Sequence, residues 1–256
     1  MSELAANAAP NAGPRADTRK FYVYMAAACV AVAFIGFAPS YWVPMLAGTK
    51  QQPTLAHLHG MLFFGWTLFF LLQTSLVTSG KTAKHREWGL AGIALASPML
   101  CFGILMTIHS LHANIALGAV QAAKAFSFVS SSGIVFFAIL IAIAIANTHN
   151  RELHKRIMLV ATISMLQPAI ARWFQLFLAP PGAVGPPAVE FTVPPGLVSD
   201  LLIVVAMVYD KKTRGSIHRA YWIAGGALVA LQVLRIPLSH TATWMAIADW
   251  MAAATL

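Results

Sequence analysis

Long apolar runs, separated by short polar or proline-rich breaks, set the rhythm of this chain. A helix needs about 20 apolar residues, at 1.5 Å rise each, to cross a bilayer. Seven stretches are candidates: about 21–46, 56–79, 87–109, 119–147, 156–178, 197–209 and 218–236. Pro39 and Pro44 are expected to bend or break the first, because proline removes a backbone donor and crowds the preceding turn. Pro98 predicts a kink in the third. The sixth is short for a crossing: after Pro194-Pro195-Gly196 only 197–209 is apolar. Segment 179–195, with its repeated prolines, reads as a semi-rigid extended loop. The tail 238–256 carries His240, Trp244, Asp249 and Trp250 and reads as an interfacial amphipathic helix, with an eighth span as the alternative. Residues 1–20 read as a disordered tail rich in Ala, Asn and Pro. The run after Lys20 has no small-residue cleavage site, so it is expected to be a spanning helix rather than a signal peptide. The expected fold is an all-α polytopic bundle over 21–237.

Composition sharpens this picture. The chain is 59% hydrophobic and 10% charged, against about 25% charged in soluble domains. That excludes a soluble globular protein, a disordered chain and a disulfide scaffold. The formal charge of +9 would suggest nucleic acid in a soluble protein, but the basic residues lie in short clusters between apolar runs. Thirteen of the seventeen Lys and Arg fall on one side if the N-terminus is inside; Lys50, Lys124, Arg172 and Arg235 fall on the other. Such a bias is a topology signal and places the N-terminus inside. Cys29 and Cys101 both lie in apolar runs, so no disulfide or CxxC chemistry is indicated.

Nine histidines carry what chemistry the sequence offers. The topology puts His85, His149, His154 and His218 on the inner side and His57, His59, His109, His112 and His240 on the outer side. His57 and His59 open the second span; one residue turns a helix by 100°, so only one of the two faces the bundle interior. His109 and His112, three apart, share a face near the end of the third span. These two spans are joined by a short inner loop, so the histidines are expected to meet at one outer depth. Asp200, in the sixth span, is expensive in lipid unless paired. Arg172 in the fifth span is its expected partner, and a role for Asp200 as metal ligand or ligand-orienting group is the alternative. Imidazoles on neighbouring helices suit zinc, copper or iron, and two opposed imidazoles suit heme iron. The candidate ligands are His57, His59, His109, His112 and Asp200. Polar boundary histidines without a ligand fit the same positions.

Among the inner histidines, His85, His154 and His218 each precede a basic residue and open a helix. They fit headgroup anchors, or a second site with Glu87 and Glu152 nearby. The HxxHH motif of membrane di-iron enzymes is absent, and so are GxxxxGK[ST], GxSxG and HExxH.

The stretch His59-Gly60-Met61-Leu62-Phe63-Phe64 resembles the heme-ligand helix of heme–copper oxidase subunit I. That resemblance implies His59 as an axial heme ligand, although this chain has fewer helices than that subunit and no counterpart of its copper ligands. The wider pattern of His57-Leu58-His59-Gly60, Trp66, Gln73, Gly80, His85-Arg86, His154-Lys155-Arg156 and Gly215-Ser216-Ile217-His218 resembles bacterial multi-pass membrane proteins, including small ones linked to cytochrome oxidase assembly. It implies a bacterial inner-membrane setting.

The leading expectation is a heme- or metal-binding membrane protein of respiratory electron transfer or oxidase maturation. His59 would pair with His109 or His112, and Asp200 or His57 would orient a ligand. The lipid bilayer and a respiratory complex are its expected partners, with no nucleic acid. A proton-coupled small-molecule transporter using Asp200, Arg172 and the outer histidines is the alternative, with the short sixth span as its discontinuous helix. A structural partner subunit without a site is the third reading.

Overall fold

The computed structural model describes residues 16–49 and 51–254. The expectations for residues 1–15 and Lys50 lie outside these. The protein is an all-α polytopic bundle. In hydrocarbon a backbone must satisfy its own hydrogen bonds, and helices do so within one segment. Its helices are α1 (Ala16–Gly36), α2 (Val43–Leu46), α3 (Thr54–Thr78), α4 (Thr82–Ala116), α5 (Val120–Ala146), α6 (Arg151–Ser164), α7 (Gln167–Leu178), α8 (Val193–Arg214), α9 (Gly226–Leu238) and α10 (Ala242–Ala253). Seven stretches among the described residues are long and apolar enough to cross a membrane. A multi-pass chain in a lipid bilayer follows from that count.

Several expectations change in detail. The helix opens at Ala16, inside the segment expected to be a disordered tail. Pro39 and Pro44 do bend the first span: a π-helical turn, Ala38–Trp42, leads from α1 into the short α2. Helix α4 continues through Pro98 and is 35 residues long, several turns longer than expected. Pro194 and Pro195 do not break the sixth span but begin it. Proline suits the first helical turn, where its missing N–H would have no partner anyway. With the 3₁₀ turn Val189–Thr192 ahead of it, that span covers Val189–Arg214, 26 residues. It is therefore a full crossing. The discontinuity lies in the fifth span instead, where α6 ends at Ser164 and α7 begins at Gln167, with Pro168 in its first turn. The tail forms α10, whose 12 residues reach about 18 Å, too short for the ~30 Å hydrocarbon layer.

Helix α6 is central. From Arg156 to Ser164 every residue but Met158 is buried, against α1, α5, α8 and the π-helical turn Tyr221–Gly225 that precedes α9. Trp66 on α3 donates to Thr162 Oγ1 at 3.2 Å. At the end of the bundle that carries most of the Lys and Arg, here termed the basic end, α6 is locked by charge. Arg156 and Asp210 are each 1% exposed. Arg156 Nε donates to Asp210 Oδ2 at 2.8 Å and Nη2 to Oδ1 at 2.5 Å.

Removing one partner of a buried ion pair strands the other charge, at a cost of about 3–5 kcal/mol. Arg156→Met and Asp210→Leu should each lower the thermal midpoint in detergent sharply, and the double variant should recover most of the loss. If both single variants melted like the wild type, the pair would not hold the bundle.

Candidate functional site

The outer histidines do not form one ligand set. The register of the α3–α4 hairpin explains why. Phe69 packs where a Gly92 side chain would be, and His59 lies beside the backbone of Phe102. His109 and His112 follow Phe102 by two and three turns, so they sit about 10 and 15 Å farther along the axis. The extra length of α4 carries them past the start of α3. His112 is occupied there, donating Nε2–H to the carbonyl of Ala252 on α10 at 2.9 Å. His57 is exposed and shares a 2.7 Å hydrogen bond between its Nδ1 and Tyr41 Oη. His59 packs on Phe63, with ring centres 4.1 Å apart. No group of three or more His, Cys, Asp and Glu suited to a metal ion occurs among the described residues.

Asp200 and Arg172, expected as a pair, are held apart. Arg172 stands over the Phe37 ring, with Cζ 5.3 Å from its centre. Asp200 faces α9, where Gln232, Arg235 and its own neighbour Ser199 surround it. Sequence order places both residues in the outer half of adjacent spans, but not on the same side of their helices.

The Asp200 surroundings form a polar interior within the membrane-spanning region. Asp200 is 6% exposed, Gln232 1% and Arg235 2%. Arg235 Nη1 donates to Gln167 Oε1 at 2.6 Å, and its Nε to Ser132 Oγ on α5 at 3.0 Å. Gln167 Nε2 in turn donates to the Thr192 carbonyl at 2.9 Å. Gly196 permits this arrangement: a Cβ there would sit 2.8 Å from the Gln232 amide carbon. Yet both Asp200 oxygens, Gln232 Oε1 and Ser131 Oγ, next in sequence to Ser132, are buried without a hydrogen-bond partner. Buried polar atoms are nearly always satisfied, so four orphans mark a place built for something besides packing. Asp200 lies about 10 Å in from the start of α8. Gln167 sits at the break between α6 and α7, so irregular backbone and buried charge share one region. Sequence reading found Asp200 but not Arg235, Gln167 or Gln232 as its company. Sequence order places Arg235 among the outer basic residues; the available signal for its burial is its helix, which begins at the close-packing pair Gly225-Gly226.

The basic end is equally polar, and its Arg156–Asp210–Glu152 network is closely partnered. Glu152 accepts from Lys155 Nζ at 2.7 Å, from Arg156 Nη1 at 2.6 Å and from Arg214. The His218 backbone N–H donates to Asp210 Oδ2 at 3.2 Å, and its ring Nδ1 accepts from the Ala220 N–H at 3.1 Å. Tyr22 and Tyr221 hydroxyls meet at 3.3 Å. His154 donates Nδ1–H to the Ala144 carbonyl at 2.8 Å, while His85, its ring centre 6.5 Å away, keeps a buried Nδ1 without a partner. No protein-family model matches the chain, and neither curated proteins nor solved structures match it.

Partial burial, then the charges of Arg156 and Arg214, hold the His218 imidazole below its ordinary value of 6.5. A lowered value means that the fold favours the neutral ring. Its contribution is therefore complete above about pH 6.5 and lost as pH falls below it. The thermal midpoint should drop between about pH 7.5 and about pH 5.5, and His218→Gln should shrink that drop. An equal drop in the variant would place the sensitivity elsewhere.

Proposed function

We propose that this protein is a proton-coupled membrane transport protein whose proton-carrying group is the Asp200 carboxyl. The observation that carries this reading is a buried carboxyl with no hydrogen-bond partner, beside Arg235 and Gln232, inside a spanning helix. Ionisable groups within a bilayer mark ion or proton pathways more often than they stabilise a fold, because lipid makes them costly. The broken span supports the same reading, since discontinuous helices at membrane depth line polar cavities. Arg172 and the outer histidines have no part in it. The basic end faces the cytoplasm in this reading, by the positive-inside rule, and the setting is a bacterial inner membrane.

Proteoliposomes loaded with a pH-sensitive dye and driven by a potassium diffusion potential provide the test. Asp200→Asn should reduce proton flux by at least about tenfold, while Asp200→Glu retains much of it. Wild-type flux in Asp200→Asn would sink the proposal.

A second reading, heme or a transition metal linked to respiratory electron transfer or oxidase maturation, is favoured by His85 and His154. A metal bound at about 2.0–2.1 Å by one nitrogen of each of two opposed rings holds the ring centres roughly 6 Å apart, near the observed 6.5 Å. The Ala144 carbonyl, by taking His154 Nδ1–H, leaves the other nitrogen of that ring with a free lone pair. Visible spectra of purified protein, oxidised and reduced, with elemental analysis, should show a Soret band or stoichiometric metal that His85→Ala removes. A colourless, metal-free sample that resists reconstitution would eliminate this reading.

A further inference from the structure

At the end of the bundle opposite the basic residues, three polar atoms are buried without a hydrogen-bond partner: Trp42 Nε1, His59 Nδ1 and Arg172 Nε. They come from the π-helical turn after α1, from the first turns of α3 and from α7. An indole N–H and a guanidinium can only donate. Donors buried in an apolar region without an acceptor are expensive. No ion pair engages Arg172 among the described residues; its charge rests on the Phe37 ring.

The three belong to one aromatic cluster. Arg172 stands on Phe37, Phe37 meets Phe64 at 5.5 Å between centres, and Phe64 meets Trp42 at 5.0 Å. His59 packs on Phe63, next to Phe64 in sequence, and feels the Arg172 charge. Close approach of α1 to α7 builds this arrangement. A Cβ on Gly36 would lie 2.5 Å from the Ala169 Cβ, so only glycine lets Phe37 reach Arg172. The cluster's outer flank is lipid-facing, with Leu46 83% and Met61 64% exposed.

The geometry points to a binding site for the headgroup of a lipophilic quinone. A quinone is a flat ring with two carbonyl acceptors and no donor, delivered from hydrocarbon. It complements a cluster of flat rings whose unpartnered Trp42 and Arg172 groups can only donate. Its carbonyls accept from Arg172 and Trp42, and its ring lies against the Phe37–Phe64 cluster. A phosphate would call for several cations, and Arg172 is the cation this cluster provides. The site is separate from the Asp200 region, so either proposal stands if the other fails.

The test is calorimetric titration of the full chain, in phosphatidylcholine nanodiscs, with a short-chain ubiquinone analogue. Saturable binding is expected. Trp42→Phe keeps the ring but removes the donor and should weaken binding by about tenfold, as should Arg172→Gln. Trp250→Phe, on the exposed face of α10, should leave binding unchanged. Trp42→Phe is the safeguard if Arg172→Gln fails to fold. Absence of saturable binding, or wild-type affinity in Trp42→Phe, overturns the proposal. So does the repeat in discs containing phosphatidylglycerol if the anionic lipid binds through Trp42 and Arg172 while the quinone does not.

Discussion

The bidentate contact between Arg156 and Asp210 holds the bundle's centre in register. Arg156 belongs to α6, the helix around which α1, α5, α8 and the Tyr221–Gly225 turn pack. Asp210 lies near the end of α8 and also receives the His218 backbone N–H, so one carboxylate fixes α6, α8 and the loop that starts the seventh span. Burying both charges is worthwhile because further hydrogen bonds surround the pair. Glu152 fills Arg156's third direction, and Arg214 and Lys155 fill those of Glu152. The pair has little slack: turning either helix would break several charge-assisted bonds at once.

That completeness gives meaning to what is incomplete elsewhere. The same chain that partners Arg156 and Asp210 leaves Asp200, Gln232 and Ser131 unpartnered in one region, Trp42, His59 and Arg172 in another, and His85 Nδ1 at the basic end. A sequence able to place partners for Arg156 could have placed a carboxylate beside Arg172 or a donor on Asp200. The orphans therefore lie outside the Arg156–Asp210 network, most of them in two regions. Their signs differ as well. The region around Asp200 holds carboxylate and amide acceptors beside one cation, whereas the region around Arg172 holds the donors Trp42 Nε1 and Arg172 Nε.

The spans were legible because a bilayer imposes length and apolarity on a helix, and both are written residue by residue. Proline was legible only in part. Pro39 and Pro44 did bend the first span, but Pro194 and Pro195 began a helix, which composition alone does not separate from breaking one. The break at 165–166 left little trace, since Pro168 sits inside a run apolar enough for a continuous helix. Depth and azimuth were the weakest readings. His59 and His109 looked level until the length of α4 was known, and Asp200 and Arg172 looked paired until their helices' facing sides were known. Arg156 and Asp210 were hidden differently: both lie in basic clusters that any topology rule explains as headgroup anchors.

The break also decides how the parts can communicate. Hydrogen bonds across it are of the tighter i→i−3 kind: Met165 to Thr162 at 3.2 Å, Leu166 to Ile163 at 2.9 Å and Ala169 to Leu166 at 3.0 Å. Pro168 contributes no donor. Such a joint bends at lower cost than a continuous helix, because the ordinary i→i−4 ladder is already interrupted. On its basic side α6 is pinned through Arg156. On its other side α7 begins with Gln167, bonded to Arg235 next to Asp200, and carries Arg172 one and a half turns later. Any tilt of α7 about this joint moves Gln167 against Arg235 and Arg172 against Phe37 together. The two orphan-bearing regions thus share one short rigid helix, and the buried ion pair at the basic end supplies the fixed body against which that helix can move.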